Sequence, residues 1–375
     1  MDKRRSGLLL HLTSLPADFG IGDMGPSAYK FVDFLKESGQ TLWALLPINR
    51  VGKHEGFAPY GPYSAFAGNL LLVSPELLYR DGLLSEKDLR EYPPLDRCYV
   101  DFLGVAAAKW QLWRRAFASS DRKRDDEYRD AYGRFVAESE WLDDYVSCTL
   151  SRALRYPNAD DVNVPVDVTS KDGELLKFTQ FLFFKQWEQL RRYANERGVL
   201  MVGDTAFNMA INGTDILTRP ELFEVDLESG ELRYEAGAPP DEFVPEGQFW
   251  LTAAYNWSAH IKGGFDWWKR RMSLNARLYD AFRLDHFRGF EASWVIPKGA
   301  QKPADGRFVP GPGQRFFEAV KNSYSGAQMF VEDLGTITSE VHRLRDWRIN
   351  SVCDLRRHSN RLRRLTATYG RIPTG

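Results

Sequence analysis

Two acids, Asp285 in AFRLDHFRGF and Glu332 in FVEDLG, each close a short apolar run. In an extended strand, side chains at i and i+2 share a face, so Arg283 should point the same way as Asp285. A neighbouring guanidinium lowers a carboxyl's pKa and keeps it ionised, as a nucleophile must be. RxD alone is equally well read as a buried Arg–Asp pair that only satisfies itself. Glu332 changes that balance. It ends the following strand, one strand spacing of about 4.8 Å from Asp285. Displacement at a sugar carbon with retained configuration needs two carboxyls about 5–5.5 Å apart, one nucleophilic and one a general acid/base. Asp204, closing VLMVGD, ends the strand before. Three like charges at successive strand ends repel and cost stability, so function explains them better than folding does.

The elements that must hold these acids follow a repeated grammar. Each unit has an amphipathic helix, a tight turn, an apolar strand and then polar residues. GLLLHL, Gly7 to Leu12, reads as the first strand. A helix follows from about Ser27 to Ser38, with Tyr29, Phe31, Val32 and Leu35 on its apolar stripe and Gly39 as its cap. Thr41 to Ile48 reads as the second strand. A helix from about Lys177 to Arg197 leads to VLMVGD, and further helices precede YDAFRLD and AQMFVED. Helix–strand alternation implies parallel βαβ units, and unbroken apolar strands fit a sheet buried on both faces. Acids repeated at strand C-termini predict an α/β fold of the (β/α)8 TIM-barrel type. The expected division is 1–50 for the first barrel strands, 51–175 for a mostly helical insertion and 176–345 for barrel units three to five. The run DRKRDDEYRD in the insertion reads as a solvated helix face.

Composition narrows the class. With 375 residues, 43% of them apolar, the chain can build one large domain with an insertion or two ordinary ones. Its 50 basic and 51 acidic residues give no bulk charge that favours nucleic acid or a membrane surface. Cys98, Cys148 and Cys353 are too far apart for a metal site or a disulfide framework, which points to a reducing cytoplasm and no metal. LLLHL near the start is too short for a signal sequence, and no run reaches membrane-spanning length. Trp43 and Trp187 fall on strand and helix patterns and read as core; His11 and His54 carry no pattern.

SGLLLHLTSLP, FGIGDMG, FVDFLKESGQTLW, PYSAFAGN, WLDDY, GDTAFNMA, PPDEF, GQFW, AFRLDHFRGF and EDLG follow in one order. In that order they resemble the 4-alpha-glucanotransferase (amylomaltase, disproportionating enzyme) family of the α-amylase-like barrels. The resemblance covers Ser6 to about Arg345. It implies transfer of α-1,4-glucan segments between maltooligosaccharides, in starch, glycogen or maltodextrin metabolism. The partners would be a glucan donor and a sugar acceptor, with no cofactor. Asp285 matches the nucleophile that forms a covalent β-glucosyl intermediate, and Glu332 the general acid/base. Arg283 and His286 match residues that hold the nucleophile and the donor sugar, and Asp204 a structural acid. Tyr60 matches a sugar-stacking tyrosine. Asp241, Phe243, Gln248 and Trp250 match a mobile loop, 239–257, over the subsites, which favours transfer by excluding water. For His286, Tyr60 and Trp250, plain packing is the competing reading.

The chain departs from the family text at several places. Ala206 and Asn208 stand where Pro and Tyr are usual, and Leu70 where Pro follows GN. Ala58 and Gly61 flank Tyr60 in place of Ser and Gln. Glu242 replaces an aromatic, and Leu251, Thr252 and Ala253 replace GNP. These changes bear on subsite affinity more than on chemistry. After about Arg345 the text becomes arginine-rich, a divergent basic tail over 346–375 that reads as out-of-register translation or a replaced exon. A third family acid, the Asp of an HDN motif, finds no match. Five barrel strands are legible, and open strand edges predict poor folding or association of the chain alone. Two other readings therefore stand beside the transferase. One is a catalytically silent glucan-binding fragment. The other is an α-glucoside hydrolase, against which the PPDEF…GQFW loop argues.

Overall fold

The structure, a computed structural model, describes residues 5–53, 56–96, 98–123, 126–155, 170–332 and 337–349. Strand β1 (Gly7–Leu9) is followed by helix α1 (Pro26–Glu37) and strand β2 (Leu42–Ala44). Pro26 opens α1, where a missing N–H costs nothing, and Gly39 at φ 70° turns the chain out of it. The chain then leaves the sheet for α2 (Pro75–Arg80), α3 (Glu86–Arg90), α4 (Phe102–Lys123), α5 (Asp126–Glu138) and α6 (Leu142–Arg155). Helix α7 (Ser170–Glu196) brings it back to β3 (Leu200–Thr205). Next come α8 (Thr214–Thr218), β4 (Tyr234–Ala238), β5 (Gln248–Ala253), α9 (Trp257–Lys262), α10 (Asp266–Leu278) and β6 (Ala281–Leu284). The chain continues with β7 (Ala292–Pro297), β8 (Arg307–Pro310), α11 (Gln314–Val320), β9 (Gln328–Val331) and α12 (Ser339–Ile349).

Two sheets result. β1, β2, β3, β6 and β9 lie side by side in that order, all parallel. These are the five strands that the sequence grammar predicts. They are shorter than expected: regular pairing stops at Leu9 and Ala44, although Leu10 and Leu45 still donate to Ala44 O and Val202 O across the ladder. The second sheet is antiparallel, in the order β5–β4–β7–β8, and the helix–strand grammar does not contain it. Segment 239–257, expected as a loop, is a hairpin turn followed by strand β5. Its register shifts between Ala236 and Gly237, so Trp250 and Leu251 bulge out of the ladder, with Leu251 at φ 55°.

Within the segment expected as a helical insertion, the described residues before Leu70 and from 91 to 101 are irregular and helices α2 to α6 fill most of the rest; α7 begins at Ser170, ahead of the predicted Lys177. The insertion is tied to the loop that leads into α1. Lys109 of α4, fully buried, reaches Asp23 at 2.9 Å and donates to the carbonyls of Leu71 and Val73 at 2.7 and 2.9 Å. A buried ammonium needs such partners, because desolvating it unpaired costs several kcal/mol, roughly. Trp43 and Trp187 are buried in the core, as their patterns predict. Leu8 and Leu9 of the edge strand β1 are exposed. His54, Cys353, Asp333 and the tail from 350 onward lie outside the described residues.

Candidate active site

Strand register builds the site. Asp204 on β3 lies opposite Arg283 on β6, and Arg283 lies opposite Phe330 on β9. Asp285 and Glu332 follow directly at the C-terminal ends of β6 and β9. The ladder runs on through them: Asp285 N–H donates to Thr205 O and Glu332 N–H to Leu284 O. The three acids therefore stand on three neighbouring strands, at the end where parallel α/β sheets collect their chemistry.

Arg283 joins them. Its Nε donates to Asp204 Oδ2, its Nη2 to Asp285 Oδ1 and its Nη1 to Glu332 Oε1, each at 2.9 Å. Nη2 also donates to the Tyr60 hydroxyl at 2.9 Å, and that hydroxyl donates to Asp204 Oδ2 at 2.8 Å. The planar guanidinium fork is what allows one cation to satisfy three carboxylates and a phenol. The second oxygens of Glu332 and Asp285 are held too, whereas Asp204 Oδ1 has no hydrogen-bond partner. Glu332 Oε2 accepts from the backbone N–H of His286 at 2.8 Å, and Asp285 Oδ2 faces Phe207 N–H at 3.5 Å. His286 sits at φ 47°, ψ 50°, an uncommon left-handed backbone of the kind that gathers at functional sites.

One cation among three carboxylates leaves the cluster short of positive charge. Burial pushes the Asp285 carboxyl up to about 7, the Glu332 charge adds to this, and Arg283 opposes it without cancelling it. The expectation that the neighbouring Arg283 guanidinium lowers the Asp285 pKa is thus corrected: desolvation and the second acid outweigh the ion pair. Burial also raises Asp204, with Arg283 and Tyr60 pulling the other way. Burial, helped by Arg288, lowers the His286 imidazole to about 4. It is therefore neutral at working pH and can both donate to and accept from a hydroxyl.

A cleft of about 560 Å³ opens over the acids. Tyr60, Trp250, Arg283, Asp285, His286 and Glu332 all line it, so six of the predicted site residues meet there. Asp204 sits beneath, held by Arg283 and Tyr60. Trp250 stands edge-on to His286 at 4.9 Å between ring centroids and donates to Gln248 Oε1 at 3.0 Å. Asp241 and Phe243 are not brought to the cleft. They occupy the hairpin tip, where the Asp241 carboxylate accepts from the N–H groups of Phe243 and Val244. Phe243 is 83% exposed.

Residues beyond the predicted set also line the cleft. Phe207 is clamped by two donors on its carbonyl, the Tyr255 hydroxyl at 2.6 Å and Arg271 at 3.1 Å. Its ring meets His286 at 5.2 Å and Phe290 at 5.0 Å, which ties the turn after β3 to the turn after β6. Position alone could have flagged Phe207, since it follows a strand end that already carries an acid. Phe249 lines the cleft from β5, and only the bulge puts its neighbours there as well. Ala58, Gly61, Asn208, Leu251 and Thr252, five of the departures from the family text, line it too. Among the described residues, no group of His, Cys, Asp and Glu could hold a metal ion, and no helix is long and apolar enough to cross a membrane.

Known proteins resemble this chain in sequence and fold. The sequence model described as 4-alpha-glucanotransferase matches residues 10–350. A 4-alpha-glucanotransferase of Aquifex aeolicus is 40% identical over 92% of this chain and 71% of its own length. One of Thermus thermophilus is 35% identical over 92% and 70%. An amylomaltase from Streptococcus agalactiae, solved in complex with acarbose, superposes with a TM-score of 0.82 at 31% identity, covering 91% of this chain and 71% of that one. With five parallel strands carrying these acids and with relatives this similar, the chain belongs to the 4-alpha-glucanotransferase family.

Proposed function

We propose that Asp285 and Glu332 carry out glucan transfer by retaining double displacement. The observation that carries this reading is the single guanidinium of Arg283 holding acids from three adjacent strands at the floor of a sugar-sized cleft. The Asp285 carboxylate attacks the anomeric carbon while Glu332, as the acid, gives its proton to the departing glycosidic oxygen. The leaving chain takes a new 4-hydroxyl, and the donor remains as a β-glucosyl ester on Asp285. Glu332, now a carboxylate, takes the proton of an acceptor's 4-hydroxyl. That oxygen attacks the same carbon, restores the α-1,4 bond and frees Asp285. Neutral His286 and the Tyr60 ring bind the donor sugar. Asp204 fixes Arg283, and Trp250 with Gln248 closes the acceptor side. Asp241 and Phe243 reach the sugar only if the hairpin tip folds over the cleft.

The substrates are maltooligosaccharide donors and sugar acceptors, and the compartment is the cytoplasm, a reading supported by the free thiols of Cys98 and Cys148. Incubation with maltotriose tests the activity. A ladder of longer maltodextrins with free glucose is expected, and Glu332→Gln should slow it about 10²–10⁴-fold. Glucose and maltose alone would indicate hydrolysis. Glucan binding without turnover would indicate the silent fragment.

A further inference from the structure

Helix α10 grips the turn after β3 from behind. Arg271, buried on α10, donates through Nη2 to Ala206 O and through Nη1 to Phe207 O, the latter at 3.1 Å. Its guanidinium lies over the rings of Trp267 and Trp268, 5.3 and 5.0 Å from their centroids. One helical turn further on, Asn275 Oδ1 accepts from the Thr205 hydroxyl at 2.9 Å, and its Nδ2 donates to Arg271 O at 2.9 Å. One helix thus holds the consecutive residues Thr205, Ala206 and Phe207. The same segment meets Asp285 on its other side. Thr205 O accepts from Asp285 N–H at 3.2 Å, and Phe207 N–H faces Asp285 Oδ2 at 3.5 Å.

The Ala206 oxygen and the Phe207 N–H belong to one peptide unit. That unit is planar and trans, so its oxygen and its hydrogen point in opposite directions. A donor that fixes the oxygen therefore fixes where the hydrogen points. It also polarises the amide, which strengthens the N–H as a donor. A guanidinium fork suits this task, because two N–H groups on one rigid plane can hold two successive carbonyls. Burial disfavours the charge on Arg271 and lowers its pKa. A neutral side-chain amide could donate to the same carbonyls without that penalty, so the charge needs an explanation of its own.

We infer that Arg271 is a positioning residue of the transferase: through the Ala206–Phe207 peptide it aims the Phe207 N–H at Asp285 Oδ2 and so holds that carboxylate for attack. The inference rests on the glucan-transfer reading above. Asp285 faces Arg283 on its own strand, Asp204 from β3 and Glu332 from β9, while the neighbouring His286 ring is neutral. Two of those three charged groups are acids that oppose its ionisation. The Phe207 N–H favours the ionised, attacking form, and the Arg271 charge behind the turn acts in the same direction. Contacts of this kind are often long in a free enzyme and tighten once substrate is bound.

Arg271→Gln, which removes the charge and the fork, tests this through the pH dependence of maltotriose transfer. The acidic limb of kcat/KM should move up by about one pH unit, a fall of about tenfold near pH 6 and about twofold near pH 8. Arg271→Lys keeps the charge but holds one carbonyl at a time, so its limb should lie between those of wild type and Arg271→Gln. Tyr255→Phe is the control. It removes the other donor to Phe207 O and leaves the Ala206–Phe207 peptide in the grip of Arg271, so its limb should stay at the wild-type position. A limb that stays in place in Arg271→Gln, whatever happens to the melting temperature, means a structural role and overturns the inference. An equal shift in Tyr255→Phe overturns it too. If Arg271→Gln does not fold, Arg271→Lys against Tyr255→Phe decides alone, and an unmoved limb in the lysine variant overturns the inference. Carbon-13 NMR of labelled aspartate carboxyls, assigned with Asp285→Asn, keeps the two readings separate. If the wild type turns over no maltotriose, the transfer reading fails. An Asp285 titration about one unit higher in Arg271→Gln then still supports the grip, and an equal titration overturns it.

Discussion

At the scale of the residue, the chemistry depends on how three carboxylates share one cation. Raising Asp285 to about 7 means that the folded protein binds its proton more tightly than the unfolded chain does. Between the ordinary carboxylate range and pH 7 the unfolded state therefore holds fewer protons, and stability falls as pH rises through that window. Asp285→Asn removes a charge that the fold accommodates poorly. It should melt above wild type at about pH 8, with the gap closing towards pH 5, even as transfer is lost. Scanning calorimetry at the two pH values checks this, and a lower melting temperature at both would refute it. The same group sets activity: kcat/KM should fall as pH drops below about 7, because a protonated Asp285 cannot attack. His286, lowered to about 4, contributes nothing to that limb.

At the scale of the element, the β4–β5 hairpin carries the wall of the cleft. Gly237 makes its register possible, since a Cβ there would meet Gln248 O at 2.2 Å and Ile296 Cδ1 at 2.5 Å. A backbone oxygen cannot step aside as a flexible side chain can. Gly237→Ala should therefore displace β5 and misplace Trp250 and Thr252. KM for maltotriose should rise several-fold while the parallel sheet and the far-ultraviolet circular dichroism are retained. An unchanged KM would show that the bulge does not govern the cleft. This hairpin was not legible in the sequence as a strand pair. YEAGA is rich in residues that strands disfavour, and the bulge breaks the two-residue period at the point where β5 would show it.

At the scale of the whole molecule, Lys109 and Asp23 tie the insertion to the loop between β1 and α1. Lys109→Met leaves Asp23 as a buried acid without its counter-ion, still accepting from the Gly25 N–H, in a site where burial already pushes its carboxyl up. A loss of about 3–5 kcal/mol is expected in denaturant unfolding. Adding Asp23→Asn should restore most of it, and a double variant no better than the single one would refute the coupling. The exposed Leu8 and Leu9 mark β1 as an edge of the described sheet. The family match ends at 350, close to where the sequence text turns arginine-rich.

The sequence by itself determined the five parallel strands and the acids at their ends. Apolar runs after amphipathic helices specify strand type, and a strand end specifies on which rim a side chain emerges. It therefore located Asp204, Arg283, Asp285 and Glu332, and through motif resemblance Tyr60, His286 and Trp250 as well. Only the tertiary structure decided how those groups share charge. Asp285 is held up because burial and Glu332 outweigh Arg283, and burial and distance are properties of the assembled site that no spacing rule contains.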